Sequence, residues 1–141
     1  MNEKNITKIT REILIGKLSK SNFDIDKACD CEFTKNLNWD YREYESASRR
    51  AFIILDSWKI QKNKGEFIPP TTRDEFERYI DHLLARSSFQ NAFSQYISGL
   101  HGNEKKELMS IMNDANATLR NIGFDKEAQK NESKMSCYEV K

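Results

Sequence analysis

The sequence is poor in residues that break helices and in stretches that cross membranes. It has two prolines and five scattered glycines in 141 residues, and none of the glycines forms a phosphate-binding loop. Its longest run of large apolar residues, Phe52 to Leu55, is far shorter than the roughly 20 residues that span a bilayer. These absences argue against a membrane protein and against the common nucleotide-binding loops.

The sequence also lacks an excess of charge of either sign. It has 23 basic and 22 acidic residues, which gives a formal net charge of +1. A general nucleic-acid binder usually shows a clear basic excess or a basic face, and a polybasic membrane-surface protein needs the same. The balance therefore disfavours nucleic acid as a partner and predicts no association with membranes.

Cysteine is scarce and odd in number, with Cys29, Cys31 and Cys137. The first two are so close together in the sequence that a disulfide between them would stabilise the fold little. We therefore expect reduced thiols in a reducing compartment. The short apolar stretch 13–15 lies between basic residues, which predicts no secretory signal. The richness in Ile, Lys and Asn suggests an AT-rich gene. Together these features predict a cytoplasmic protein of a bacterium or a mobile element.

The chain does contain apolar residues at helical spacing. Its composition, 38% hydrophobic and 32% charged, fits a small bundle in which each helix turns one stripe to the core. The spacing predicts helices over about 5–20, 39–62, 73–86, 87–100 and 103–122, with an irregular segment at 21–40 that includes a short helical turn. The predicted fold is all-α, a single helical bundle of about five helices with a domain at 1–125 and a flexible polar tail at 126–141.

Several helix ends carry their own signals. Thr72 to Glu75 has the pattern of a capping box, and the serine pair 87–88 predicts a second helix start. Asn103 predicts the start of the last helix, and Gly123 followed by Phe124 predicts its end. The central helix is expected to bury one stripe and a flanking row. The stripe is Tyr44, Ala47, Ala51, Ile54 and Trp58, and the row is Tyr41, Phe52 and Leu55.

Two groups of residues have the atoms, but not the spacing, of a metal site. Zinc needs four ligands, and beside Cys29 and Cys31 the remaining soft ligands are isolated in the sequence: His82, His101 and Cys137. A calcium-binding EF-hand loop needs glycine at its sixth position, where the acidic segment that starts at Asp24 has Cys29 instead. We interpret the cysteines as semi-buried packing residues and the acidic segment (Asp24, Asp26, Asp30 and Glu32) as a solvated loop with helix caps. No metal and no cofactor are predicted.

No pattern of catalytic residues is recognisable. His82 lies beside the apolar stripe of its predicted helix, which is typical of a packing residue, and His101 lies near a glycine helix end. Neither is accompanied by a nucleophile at a characteristic spacing. The sequence therefore predicts that the protein is not an enzyme. A cleft lined by ionisable residues would instead favour an enzyme.

One segment resembles a helix-turn-helix in its dimensions. Two short helices within 73–100, joined at 86–88, would present polar side chains near the start of the second helix. The DNA-contacting residues of this alternative hypothesis are Arg73, Arg78, Arg86, Ser88, Gln90 and Asn91. Against it, the turn has no glycine and the second helix has no Lys or Arg, although phosphate contacts normally dominate affinity.

The leading hypothesis is a non-enzymatic regulatory, inhibitor or adaptor protein that acts by protein–protein binding. Aromatic residues and arginines are the usual anchors of interfaces, and aromatics make up 11% of this chain. The expected partner-binding residues are Trp39, Tyr41, Tyr44, Arg49, Arg50 and Phe67. The alternative for the aromatics is that they close the ends of the bundle. The expected partner is another protein, and a homo-oligomer is left open.

Overall fold

A computed structural model gives the fold of residues 2–99 and 104–138, and every regular element in these two ranges is a helix. The helices are α1 (Glu3–Lys20), α2 (Ile25–Ala28), α3 (Tyr41–Asn63), α4 (Arg73–Ser98), α5 (Lys105–Asn121) and α6 (Asp125–Cys137). The predicted all-α class is confirmed, as is the irregular segment with a short helical turn between α1 and α3. The predicted cap at Asn103 and the candidate ligand His101 lie outside the described residues.

The chain divides into two compact units, Met1–Tyr79 and Ile80–Lys141, and the division falls inside α4. Each unit has its own set of buried apolar side chains. The expectation that residues 1–125 unfold as one domain stays a prediction.

The first unit is built around the pairing of α1 with α3. α1 buries a stripe at helical spacing: Ile6, Ile9, Ile13, Leu14 and Leu18. α3 buries Ala47 and Ala51 completely, and small side chains let two helices approach closely. The mid-helix Gly16 has a packing reason, because a Cβ there would lie 2.7 Å from the Phe33 ring.

The buried face of α3 is rotated from the one predicted. Leu55 is 1% exposed, whereas Ile54 is only half-buried. Phe52 and Tyr41, which were expected beside the core, are 56% and 62% exposed. The four successive apolar residues 52–55 span about 300° of the helix circumference at 100° each, so they cannot all face the core.

The second unit buries one cluster of apolar side chains from α4, α5 and α6. Its members are Ala85, Phe89 and Ala92 of α4, Leu108, Ile111, Met112, Ala115 and Leu119 of α5, and Ala128 and Met135 of α6. The helix predicted over about 103–122 is confirmed as α5 within the described residues. Its predicted C-terminal end is confirmed as well, since Gly123 has a φ of +92° and the Phe124 amide donates to the Leu119 carbonyl at 2.7 Å.

The predicted helix break at residues 86–88 is wrong. α4 continues through Ser87 and Ser88 without interruption. Both serines lie away from the core, and the buried residues Ala85, Phe89 and Ala92 keep steps of four and three across them. Serine favours caps but tolerates a helix interior at small cost. Continuous burial on one face therefore outweighs the capping preference of the two serines.

The prediction of a flexible tail after residue 125 is also wrong. Asp125–Cys137 forms α6, which packs on α5 and buries Ala128, Asn131 and Met135. Only one of these three side chains is large and apolar, so hydropathy alone gives no helical stripe. The Asn131 amide nitrogen donates to Asn116 Oδ1 at 3.0 Å, and the Asn116 amide donates to the Met135 sulfur at 3.6 Å.

The start of α4 shows a capping box displaced by one residue. The Glu75 amide donates to Thr72 Oγ1 at 3.2 Å, as predicted. The Glu75 carboxylate accepts a hydrogen bond from the amide of Thr71 at 3.4 Å instead of from Thr72. Two backbone donors at the helix start are satisfied, which is the physical purpose of the motif.

Candidate protein-interaction surface

The outward side of α3 exposes large apolar side chains. Phe52, Ile53 and Ile60 are 56%, 65% and 46% exposed. At 100° per residue they lie on the side of α3 opposite to Ala47, Ala51 and Trp58, which are buried. Single exposed apolar residues are common on soluble proteins, but three within about two turns of one helix make a patch.

A shallow depression of about 400 Å³ follows this side of α3. Its lining mixes apolar side chains with charges of both signs: Phe52, Ile53, Asp56, Ser57, Ile60, Gln61, Lys64 and Glu66. An apolar centre with a polar rim is the usual composition of a protein interface.

Charged and aromatic residues extend the patch toward the start of α3. Arg49 is exposed and lies on the same side of the helix as Ile53 and Ile60. Tyr41 is exposed one turn before Glu45, and a hydrogen bond to the Glu45 carboxylate raises the pKa of Tyr41. The Lys35 ammonium lies 5.0 Å from the centre of the Tyr41 ring. Tyr41 and Arg49, two of the predicted partner-binding residues, therefore lie on this surface.

Trp39 and Tyr44 belong to an aromatic row that anchors the loop before α3. The Phe33 and Trp39 rings stack with centroids 5.8 Å apart, and Trp39 and Tyr44 are 6.1 Å apart. All three side chains are half-buried. Leu37, in the same loop, is 92% exposed and takes no part in this row. For Trp39 and Tyr44 the contacts support the alternative reading, in which they close one end of the fold.

Arg50 and Phe67 have internal partners. The Arg50 guanidinium makes two hydrogen bonds to the Glu3 carboxylate, each 3.0 Å long, and so ties α3 to α1. The Phe67 ring lies 5.5 Å from the Tyr79 ring and 5.9 Å from the Trp58 ring. Phe67 therefore packs as part of an aromatic cluster within the first unit.

The residues of the DNA-binding hypothesis lie along one continuous helix. Arg73 pairs with Glu77 at 3.4 Å, and Arg86 donates to Glu127 at 2.8 Å. Arg78, Gln90 and Asn91 are exposed, and Ser88 is half-buried. The turn that would separate a recognition helix is absent, because α4 has no break at 86–88. Two of the three arginines expected to contact phosphate already face carboxylates.

His82 belongs to the same ionic cluster as Arg86. Its Nε2 lies 2.6 Å from Glu127 Oε2, and its ring stacks on Phe124 with centroids 3.9 Å apart. Hydrogen bonds from Arg86 and His82 hold the pKa of Glu127 below its ordinary value of 4.5, against the opposing effect of burial. The cluster joins α4 to the start of α6 within the second unit.

The candidate metal ligands are dispersed or occupied. Within residues 2–99 and 104–138, no three His, Cys, Asp or Glu side chains come together as a metal-binding group. Asp24 caps α2 by accepting from the Lys27 amide, as the sequence predicts for the aspartates of this loop. Asp26 pairs with Lys62 at 2.7 Å, which lowers the pKa of Asp26. Cys29 is half-buried, and burial raises the pKa of its thiol.

Sequence reasoning missed Phe52, Ile53 and Ile60 as surface residues. The signal was present in the run 52–55, because four adjacent apolar residues in a helix must place some of their side chains outside a single buried stripe. Phe52 was instead assigned to the row beside the core.

The chain was compared with family models, with curated proteins and with solved structures, and no match was found in any of the three. In the part of the chain that the structure describes, no helix combines the length and the hydropathy required to cross a bilayer.

Proposed function

We propose that this protein is a non-enzymatic, cytoplasmic regulator, inhibitor or adaptor that acts by protein–protein binding through the outward side of α3. The observation that carries the proposal is the exposure of Phe52, Ile53 and Ile60 on one side of a helix whose other side is buried. Leaving such side chains in water costs roughly 25 cal/mol per Å² of apolar surface relative to burying them. A binding partner that covers them recovers this free energy.

The composition of the surface supports the same proposal. Its apolar residues are bordered by Tyr41 and Arg49, and tyrosine and arginine are enriched among the residues that dominate binding energy. The bordering charges include both signs, which suits recognition of a mixed protein surface better than recognition of a polyanion.

The helix-turn-helix alternative has less support. It requires a turn at 86–88, where α4 is continuous, and it requires Arg73 and Arg86 to leave Glu77 and Glu127 for phosphates. DNA binding in another arrangement stays a hypothesis. A heparin or duplex column tests it, since a DNA-binding protein is retained and released by salt.

The proposed function is tested by photo-crosslinking in cells. A photoreactive phenylalanine analogue at position 53 is expected to yield protein adducts, because this position is in the centre of the surface. The matched control is position 68, where Ile68 is 90% exposed but lies outside the surface. Equal yields at the two positions, or no protein adduct at 53, would contradict the proposal.

A second arm uses the same two positions. Ile53→Glu places a charge in the apolar centre and is expected to abolish the adducts formed from a reporter at Ser57, whereas Ile68→Glu is expected to leave them unchanged. Adducts that persist in Ile53→Glu would mean that the apolar residues do not carry the contact.

A further inference from the structure

The outward half of α6 is basic. The buried residues of this helix are Ala128, Asn131 and Met135. At 100° per residue three lysines lie in the opposite half: Lys126, Lys130 and Lys134. Uncharged side chains fill the rest of this half, namely Gln129, Ser133, Ser136 and Cys137. These exposed residues, the three lysines and the four uncharged ones, are here called the α6 outer face.

The acidic residues of α6 lie on its flanks, close to arginines of the neighbouring helices. Glu127 accepts a hydrogen bond from Arg86 at 2.8 Å, and Glu132 pairs with Arg120. The hydrogen bond from Glu132 raises the pKa of Arg120, and the nearby charge of Asp125 adds to this effect. Within residues 2–99 and 104–138, by contrast, none of the three lysine ammonium groups has a hydrogen bond or an ion pair.

Helix stability alone does not account for these lysines. They follow one another at intervals of four residues, where like charges repel and destabilise a helix. A carboxylate three or four residues away would compensate them. The one carboxylate at such a spacing is that of Glu127, which faces Arg86. The α6 outer face therefore carries positive charge that a bound anion would neutralise.

The composition of the α6 outer face indicates which class of anion fits. A protein interface has an apolar or aromatic centre and is poor in lysine, and this face has no large apolar and no aromatic residue. An amphipathic helix binds a bilayer by burying its apolar side, and the apolar side of α6 packs on α5. Nucleic-acid interfaces, in contrast, are polar and strongly positive.

The same residue types are those that contact a phosphate backbone. Lysine, serine and glutamine side chains all donate hydrogen bonds to phosphate oxygens. Successive lysines stand about 6 Å apart along the helix axis, and the three together span about 12 Å. A duplex has one phosphate for roughly each 3.4 Å of each strand, so long lysine side chains at this spacing can contact separate phosphates. Single strands are bound largely by stacking on aromatic residues, which this face lacks.

We propose that the α6 outer face is a second binding site, for the phosphate backbone of a nucleic-acid duplex, which it contacts without regard to base sequence. The near-neutral charge of the whole chain does not oppose this, because salt limits the range of surface charges to about 10 Å. The site is separate from the outward side of α3, so its failure would leave the proposed function standing.

The test is fluorescence anisotropy of a labelled duplex of arbitrary sequence, titrated with the full chain at several salt concentrations. With three phosphate contacts, the affinity is expected to fall by about 500-fold for each tenfold rise in salt. Each single Lys→Gln change at 126, 130 or 134 is expected to lower the slope of this dependence by about one. The triple variant Lys126→Gln/Lys130→Gln/Lys134→Gln is expected to lose binding.

A charge-matched control separates a local site from net charge. Lys8→Gln/Lys27→Gln/Lys64→Gln removes the same three charges from exposed sites outside α6 and is expected to keep the binding. Glutamine is nearly as good a helix former as lysine, and circular dichroism checks that each variant retains its helical content. A DNA duplex and an RNA duplex are both tested, and binding of either supports the proposal because both present the same backbone.

Three outcomes would overturn the proposal: no binding of either duplex at low salt, a triple variant of α6 that binds like the parent, or a control variant that loses as much affinity. Polyglutamate and phosphatidylserine vesicles serve as alternative anions. A chain that binds one of these through the three lysines while leaving the duplexes free would also overturn it.

Discussion

The two units bury their helices by different means. In the first unit α1 and α3 meet through aliphatic stripes and alanines, with Ile6, Ile13 and Leu14 almost fully buried. In the second unit α6 buries only Ala128 and Met135 in the apolar cluster, and beside them the buried polar pair Asn116 and Asn131 joins α5 to α6 by a hydrogen bond. An aliphatic stripe can be recognised in a sequence because its residues repeat at helical spacing. A buried polar pair cannot be recognised in this way, because each of its residues taken alone has the character of a surface residue.

The ionic contacts of α6 add to this difference. Glu127 receives hydrogen bonds from Arg86 and lies against His82, while Arg120 pairs with Glu132. Exposed ion pairs contribute little each, typically up to about 1 kcal/mol. The position of α6 therefore depends on several modest contacts rather than on one large apolar face.

The largest expected effect is in the first unit. Leu55→Ala removes a side chain that is 1% exposed and should lower the free energy of unfolding by about 2–5 kcal/mol, since a cavity remains in the core. Urea unfolding followed by tryptophan fluorescence measures it. Ile54→Ala, at the half-buried neighbour, is the matched control and should cost clearly less. Equal losses would mean that the buried face of α3 has been misassigned.

A smaller effect is expected from the polar pairing in the second unit. Asn131→Ala leaves the buried Asn116 carbonyl oxygen without its partner and should cost about 1–3 kcal/mol, the range for an unsatisfied buried polar group. Gln129→Ala, at an exposed site of α6, is the control and should be nearly neutral. Hydrogen exchange of the α6 amides measures the local loss of stability. An unchanged exchange rate in Asn131→Ala would show that apolar contacts alone hold α6.

Acid should weaken the second unit through Glu127. Its pKa is held below 4.5 in the folded state, mainly by the hydrogen bond from Arg86, so its stabilising effect is complete above the unfolded pKa and is lost as the pH falls through the folded pKa. Glu127→Gln should flatten the acid side of a stability–pH profile. A profile with the same slope in both proteins would assign the acid sensitivity to other carboxylates.

The smallest expected difference is between the unfolding midpoints of the two units. Both tryptophans, Trp39 and Trp58, belong to the first unit, so fluorescence follows that unit alone. The sequence predicts one cooperative domain, and in that case fluorescence and circular dichroism give the same transition. Separate midpoints would show that the two units unfold independently.

The sequence by itself determined where the strongly patterned helices lie. α1, α3 and α5 follow from apolar spacing, and the ends at Thr72 and Gly123 follow from local hydrogen-bonding chemistry. These signals are local, since each depends on residues within about one or two turns of one another. Of the residues expected to bind a partner, Tyr41 and Arg49 lie on the candidate surface, and the remaining four have partners within the first unit.

Only the tertiary structure decided which apolar residues face inward and which polar residues are buried. Within the run 52–55 the choice depends on where α1 lies, and it placed Leu55 inside and Phe52 and Ile53 outside. The continuity of α4 through its serines depends on the burial of Ala85 and Phe89, and α6 depends on Asn116 as a partner for Asn131. In each case the deciding contact joins residues that are distant in sequence or lie on different faces of a helix. A local sequence pattern therefore cannot predict it.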